Sequence, residues 1–125
     1  MNASCTDTHK YHSHTGVIIK SPAYPDCYPV NKICHWDVSA PIGFEISIEP
    51  FEYGIEESIG SGCQYDYLNI IFKNIKYYSY YLCGRDTFPG IISTGRNVFI
   101  EFDSDSSSVA EGFQFRLFIT GMKIF

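Results

Sequence analysis

The chain has 125 residues, 45% of them hydrophobic and only 18% charged, which suits one globular domain with a single core and excludes a disordered chain. Its formal net charge of −5 argues against a nucleic-acid partner, which would want a basic face, and leans toward a basic partner or bound cations. No apolar run approaches the length of a membrane span, so membrane insertion is not expected. Aromatic residues reach 17%, a bias that favours β structure. The five cysteines, Cys5, Cys27, Cys34, Cys63 and Cys83, form no CxxC pair, so a disulfide framework in a secreted protein is expected in place of zinc, with one cysteine left over.

Met1 is followed at once by polar residues, with no visible leader, and reads as the start of a mature or excised domain. Asn2-Ala3-Ser4 is an N-glycosylation sequon and agrees with secretion. His9, His12 and His14 have the look of a metal motif, but no nearby acid or cysteine completes a shell, and a solvated N-terminal segment is expected. Gly16 to Lys20 is a short strand signal. It runs into Ser21–Pro29, whose three prolines dictate an extended, turn-rich loop. Cys34–Val38 reads as a strand stopped by Pro41-Ile42-Gly43. Phe44–Glu49 alternates with period two, which places Phe44, Ile46 and Ile48 inward.

Residues 50–62 are glycine-rich and acidic and are expected to form one long loop. A strand follows from Asp66 to Phe72, then a turn near Lys73-Asn74 and a tyrosine-rich strand ending at Cys83-Gly84. Asn97–Phe102 is a strand, residues 103–108 are a polar loop, and Gly112–Ile119 is the last strand, with Phe113, Phe115, Leu117 and Ile119 on one side. Short strands at regular spacing, with Gly/Pro turns and no long helical stretch, predict an all-β antiparallel β-sandwich of two sheets. There is one domain over 1–125, with its core at about 5–119 and flanking residues at 1–4 and 120–125.

The ordered set Gly16-x-Ile18, Ser21-Pro22-x-Tyr24-Pro25-x-x-Tyr28-Pro29, Cys34-x-Trp36, Cys63-x-Tyr65-Asp66-Tyr67-Leu68, Leu82-Cys83-Gly84, Phe102-x-Ser104-Asp105 and Gly112-Phe113 resembles a CUB domain over nearly the whole chain. The resemblance implies a jelly-roll-like sandwich and two disulfides, Cys5–Cys34 and Cys63–Cys83, each contributing about 3 kcal/mol in the chain-entropy model. Cys27 has no counterpart in the family motif. It is expected to be a free thiol, with a bridge to another chain or another domain as the alternative.

Three acids on separate loops could converge at one end of such a sandwich: Asp66, Asp105 and either Glu56 or Glu57. Carboxylates in contact repel and raise each other's pKa; a bound Ca²⁺, which takes six to eight oxygen ligands in irregular geometry, removes that conflict. The resemblance to calcium-binding CUB domains implies Glu56, Asp66 and Asp105 as ligands, with Ser106 and Ser108 completing the shell and Tyr28 orienting the acids. Glu57 is the alternative to Glu56. An EF-hand reading of Asp103-x-Asp105-x-Ser107 fails, because Ser108 stands where glycine is needed and Gln114 where glutamate is needed.

The resemblance further implies a secreted, non-catalytic module. Its partner would be a secreted or cell-surface protein whose Lys or Arg meets Tyr28, Glu56 and Asp105 beside the calcium. The alternatives are a spermadhesin-like glycan-binding module, using spare aromatics among Tyr77, Tyr78, Tyr80 and Tyr81, or a structural spacer or oligomerisation domain of a secreted protease or receptor. An enzyme is not expected: the four histidines lie in the N-terminal segment or beside Trp36, and no Gly-x-Ser-x-Gly motif is present.

Overall fold

Strict alternation in the C-terminal strand organises the structure, a computed structural model that describes residues 4–10, 16–73, 77–91 and 95–121, with side chains for 16–72, 79–91 and 95–121. Strand β10 (Gly112–Gly121) buries Phe113, Phe115, Leu117 and Ile119 and turns the residues between them outward. Nine further strands precede it among the described residues: β1 (Ser4–Lys10), β2 (Val17–Lys20), β3 (Ile33–Ser39), β4 (Phe44–Ile48), β5 (Phe51–Ile55), β6 (Tyr67–Lys73), β7 (Tyr77–Leu82), β8 (Gly84–Phe88) and β9 (Asn97–Asp103).

They form two sheets. One has the order β1-β3-β9-β6-β7; the other has the order β2-β10-β5-β8, with β4 also paired to β10. Every pairing is antiparallel except β1 with β3. The core lies between the sheets. Val38, Leu68, Ile70, Val98, Ile100 and Phe102 come from the first sheet, all at 0% exposure, and meet Phe113, Leu117 and Ile46 of the second. Phe113 meets Trp36 and Phe102 edge-on, with ring centroids 6.4 and 5.3 Å apart. Burying each such side chain stabilises the fold by roughly 1.5–3 kcal/mol.

The expected sandwich is therefore present, with four differences. Residues 50–62 are not one loop, because Phe51–Ile55 pairs with β8 and with β10. Pro50 and Gly54 punctuate that stretch, yet Phe51 and Ile55 still bury their side chains. Gly84–Phe88 is a strand whose central residues are polar and exposed, as an edge strand permits. The N-terminal segment contributes β1, which lies parallel to β3 over seven residues.

The fourth difference corrects the expectation of two disulfides. Among the described residues one disulfide pair is found, Cys63–Cys83, with the Cα atoms 5.8 Å apart. Cys34 is fully buried and is not a free thiol, while the side chain of Cys5, its expected partner, lies outside the described residues. The N-terminal segment is held to the sheet by main-chain pairing, in which Cys5 stands opposite Cys34 in register. Cys27 is free and exposed.

Replacing both Cys63 and Cys83 by serine removes a cross-link spanning 20 residues of sequence. The loss is expected to be about 3 kcal/mol in urea denaturation. Cys27→Ser, at an exposed site, is expected to change stability by less than about 0.5 kcal/mol. Equal effects of the two changes would contradict the assignment.

Candidate metal centre

The Pro-rich loop, the segment after β5 and the loop after β9 meet at one end of the sandwich, and Asp66 is where they meet. It sits immediately before β6 at 0% exposure. Its Oδ2 accepts the Tyr28 hydroxyl at 2.7 Å, and its Oδ1 accepts the Asp105 main-chain N–H at 2.7 Å. Tyr28 Oη in turn accepts the Glu56 N–H at 3.0 Å. One buried carboxylate thus fixes the backbone of both neighbouring acids.

The surrounding chain is pinned in the same manner. The Asn31 N–H donates to the Asp105 carbonyl at 2.9 Å, and the Tyr28 N–H donates to the Ala110 carbonyl at 3.2 Å. Ser104 Oγ donates to the Pro29 carbonyl at 2.8 Å and accepts the Lys32 N–H at 2.9 Å. Tyr28 is 1% exposed and packs edge-on against Phe102 of the core, with ring centroids 4.9 Å apart. The proline loop is therefore anchored by an aromatic ring at the core and by a hydroxyl at the site.

One carboxylate oxygen from each of Glu56, Asp66 and Asp105 lies within 4.8 Å of the others. Glu56 Oε1 is buried and has no hydrogen-bond partner. A buried unpaired carboxylate oxygen is costly unless a cation faces it. Each Asp66 oxygen carries one donor and keeps a second lone pair. This all-oxygen set fits a hard divalent cation far better than zinc, which favours nitrogen and sulfur.

The electrostatics point the same way. Burial, followed by the charges of Asp66 and Asp105, pushes the Glu56 carboxyl above its ordinary range, and Ser108 opposes this through a side-chain hydrogen bond. Burial also raises Asp66, against the pull of its two donors. Burial, and then the hydrogen bond to Asp66, push the Tyr28 hydroxyl far up, so it stays a donor at any physiological pH.

The other expected site residues fall as follows. Glu57 is outside the three-acid group, and its charge acts on Arg85. Ser106 and Ser108 are exposed, and Ser108 adopts the left-handed backbone region at φ 59°. The Asn2 sequon and the side chains of His9, His12, His14, Tyr77 and Tyr78 lie outside the described residues. Tyr80, opposite Ile70, touches Phe72 and Phe88, and Tyr81 stands opposite Asn69; both tyrosines are exposed, so neither is turned into the core, although alternation predicts this of half of them. Sequence reasoning missed the main-chain donors of Asp105 and Glu56, for which no side-chain signal exists. It also missed Ser58, whose buried Oγ is likewise unpartnered.

Comparison with known proteins gives a consistent picture. The sequence profile of the family described as CUB domain matches residues 5–117. The chain is 36% identical over 107 residues to Tolloid-like protein 1 of Homo sapiens, covering 84% of this chain and 10% of that protein. It thus spans about a tenth of the length of that relative. Its fold is similar to the CUB1-EGF-CUB2 domain of human MASP-1/3, with a TM-score of 0.79 and 25% identity, covering 94% of this chain and 43% of that one. It is also similar to the MASP-1 CUB2 domain, solved bound to Ca²⁺, with a TM-score of 0.73 and 27% identity, covering 86% of this chain and 95% of that one.

Two outcomes follow for the protein in divalent-free buffer. Tyr28→Phe strips a donor from Asp66 and an acceptor from the Glu56 N–H. It is expected to cost about 1–3 kcal/mol in urea denaturation. Because the folded-state pKa of Glu56 is raised, its contribution to stability is fully present below the unfolded value and is lost as pH rises through the folded value. Glu56→Gln is therefore expected to melt above the unmodified protein at pH 7, with the gap closing as the pH falls toward 4. A gap that widens on acidification would contradict the repulsion inferred between the acids.

Proposed function

The chain belongs to the CUB domain family, and on that premise we propose that it is a calcium-stabilised docking module that captures a basic side chain of a protein partner. It is an extracellular, non-catalytic protein-interaction module. The observation that carries the finer reading is the convergence of three carboxylates around a buried, unpartnered Glu56 oxygen. Glu56, Asp66 and Asp105 are the residues that would hold Ca²⁺, with Ser106 and Ser108 supplying further oxygens and Tyr28 holding Asp66 in place. The relative crystallised with Ca²⁺ supports that choice of metal.

The cation would supply the charge that the three acids lack. In doing so it would fix the loops at this end of the sandwich, as Asp66 already does through hydrogen bonds. Glu56 and Asp105 are only partly buried, so each retains oxygen surface for an incoming ammonium or guanidinium group. Extracellular modules bind calcium in the range of about 0.1–1 mM, so such a site would be filled outside cells.

Five millimolar calcium is expected to stabilise the protein by about 1–2 kcal/mol, read as a rise of several degrees in melting temperature. Asp66→Ala is expected to abolish the response. A melt indifferent to calcium and to its removal by chelator would sink the reading.

A further inference from the structure

A sheet edge presents unpaired main-chain groups, and proteins blunt such edges with charge, proline, bulges or brevity. Most of the edges here are blunted in those ways. β2 has four residues and ends in Lys20, and β8 carries Arg85 and Asp86. β1 carries Asp7 and Lys10. The outer side of β4 is covered, since its Ile46 and Ile48 N–H groups donate to the carbonyls of Gly95 and Ile91, both at 2.8 Å. β7 is the exception. It ends the first sheet, pairs with β6 alone among the described strands, and reads Tyr-Tyr-Ser-Tyr-Tyr-Leu, with no charge, no proline and no glycine. Its residues face β6 one for one, from Tyr77 opposite Lys73 to Leu82 opposite Leu68, so no bulge bends it away.

The described side chains of this edge are exposed but already held. Ser79 Oγ donates back across the strand pair to Asn69 Oδ1 at 2.8 Å. Tyr80 rests edge-on against Phe72 and Phe88, with ring centroids 5.6 Å away in each case. Tyr81 lies against Tyr67 at 5.4 Å. An incoming strand would meet ordered rings, and little side-chain entropy is left to lose when it binds.

We propose that β7 pairs with β7 of a second copy of this chain, antiparallel about a twofold axis. Alternate residues of an outermost strand turn both N–H and C=O outward, so what completes it is another strand. A net charge of −5 sets two copies against each other, and the uncharged edge is where they approach at least cost. A basic partner would find no acid on this strand. Residues directly opposite in an antiparallel pair lie on the same face, so the axis passes through a residue that faces its own copy. The centre of the strand offers Ser79 or Tyr80. Ser79 is small and its hydroxyl is turned to β6, whereas Tyr80 at the axis would bring two rings into one place. With Ser79 at the axis, Tyr81 faces Tyr77 of the other copy and Tyr80 faces Tyr78. The two first sheets become one, with the charged β1 at both outer edges, so growth stops at two. Six residues a side make an interface at the small end of the specific range, below about 1,200 Å² in total. The dimer is accordingly weak, with a Kd on the order of 0.1 mM. It is independent of the calcium-dependent reading above.

The test is sedimentation equilibrium of the Cys27→Ser chain, in which the exposed thiol cannot cross-link, from about 10 µM to about 1 mM. The weight-average mass is expected to rise from the 14.2 kDa of one chain toward twice that value, equally in calcium and in chelator. Raising NaCl from about 0.1 to about 0.5 M is expected to leave the Kd unchanged or lower it, because salt screens the repulsion between two acidic chains. Ser79→Lys, which sets two like charges against each other at the axis, and separately Tyr81→Lys, which charges the edge, are each expected to raise the Kd at least about tenfold. Thr87→Lys, at an exposed position of β8, is the control and is expected to leave it unchanged. Melting temperatures show that all three variants fold. Amide exchange read by NMR is expected to slow at alternate residues of β7 between about 0.1 and about 1 mM protein. A chain that stays monomeric to about 1 mM overturns the proposal, as does a dimer that both edge variants leave intact or that Thr87→Lys weakens equally. A dimer lost in chelator would lie at the metal centre and would also overturn it.

Discussion

The carboxylate of Asp66 has no contact with solvent, and three loops depend on the two short bonds it accepts. The Tyr28 hydroxyl and the Asp105 main-chain N–H approach it from separate segments. Through Tyr28 the same network reaches the Glu56 main chain. A buried anion is costly in a protein interior and persists only where donors or cations face it. Here the donors cover part of that cost and a cation would cover the rest. The hydrogen bonds that satisfy Asp66 also bring Glu56 and Asp105 toward it, so the structure that protects one acid creates the repulsion among all three.

This end of the molecule can carry such a polar cluster because the core beneath it is complete. Phe102, Phe113 and the Tyr28 ring close the hydrophobic interior directly under the site. Tyr28 joins the two environments, with its ring in the apolar layer and its oxygen in the polar one. The Cys63–Cys83 bridge adds a covalent limit on the loop that delivers Asp66. The acids are therefore held by packing, hydrogen bonds and a cross-link together, which keeps a set of like charges in place before any ligand arrives.

Much of the fold was legible in the chain. Alternation identified β4 and β10 and their inward residues, Asn97–Phe102 was legible as a strand, and the prolines of Ser21–Pro29 marked a loop correctly. The strands that escaped share a physical cause. β5 is interrupted by a glycine, β8 is short and polar, and β1 is made of residues that carry no apolar period. Each is defined by main-chain pairing with a neighbour far away in sequence, and period-two patterning is silent on that. The expectation of two disulfide pairs came from the family resemblance, and among the described residues one pair, Cys63–Cys83, is found.

The sequence by itself determined the kind of molecule: a small β-sandwich rich in aromatics, with acids on three loops and an order of motifs specific to one family. Residue types and periods encode that much, because burial acts on side chains one at a time. Only the tertiary structure decided which acids meet. The choice of Glu56 over Glu57 in the three-acid group, the main-chain donors on Asp66 and the unpartnered oxygen of Glu56 all come from loops brought together by distant strands.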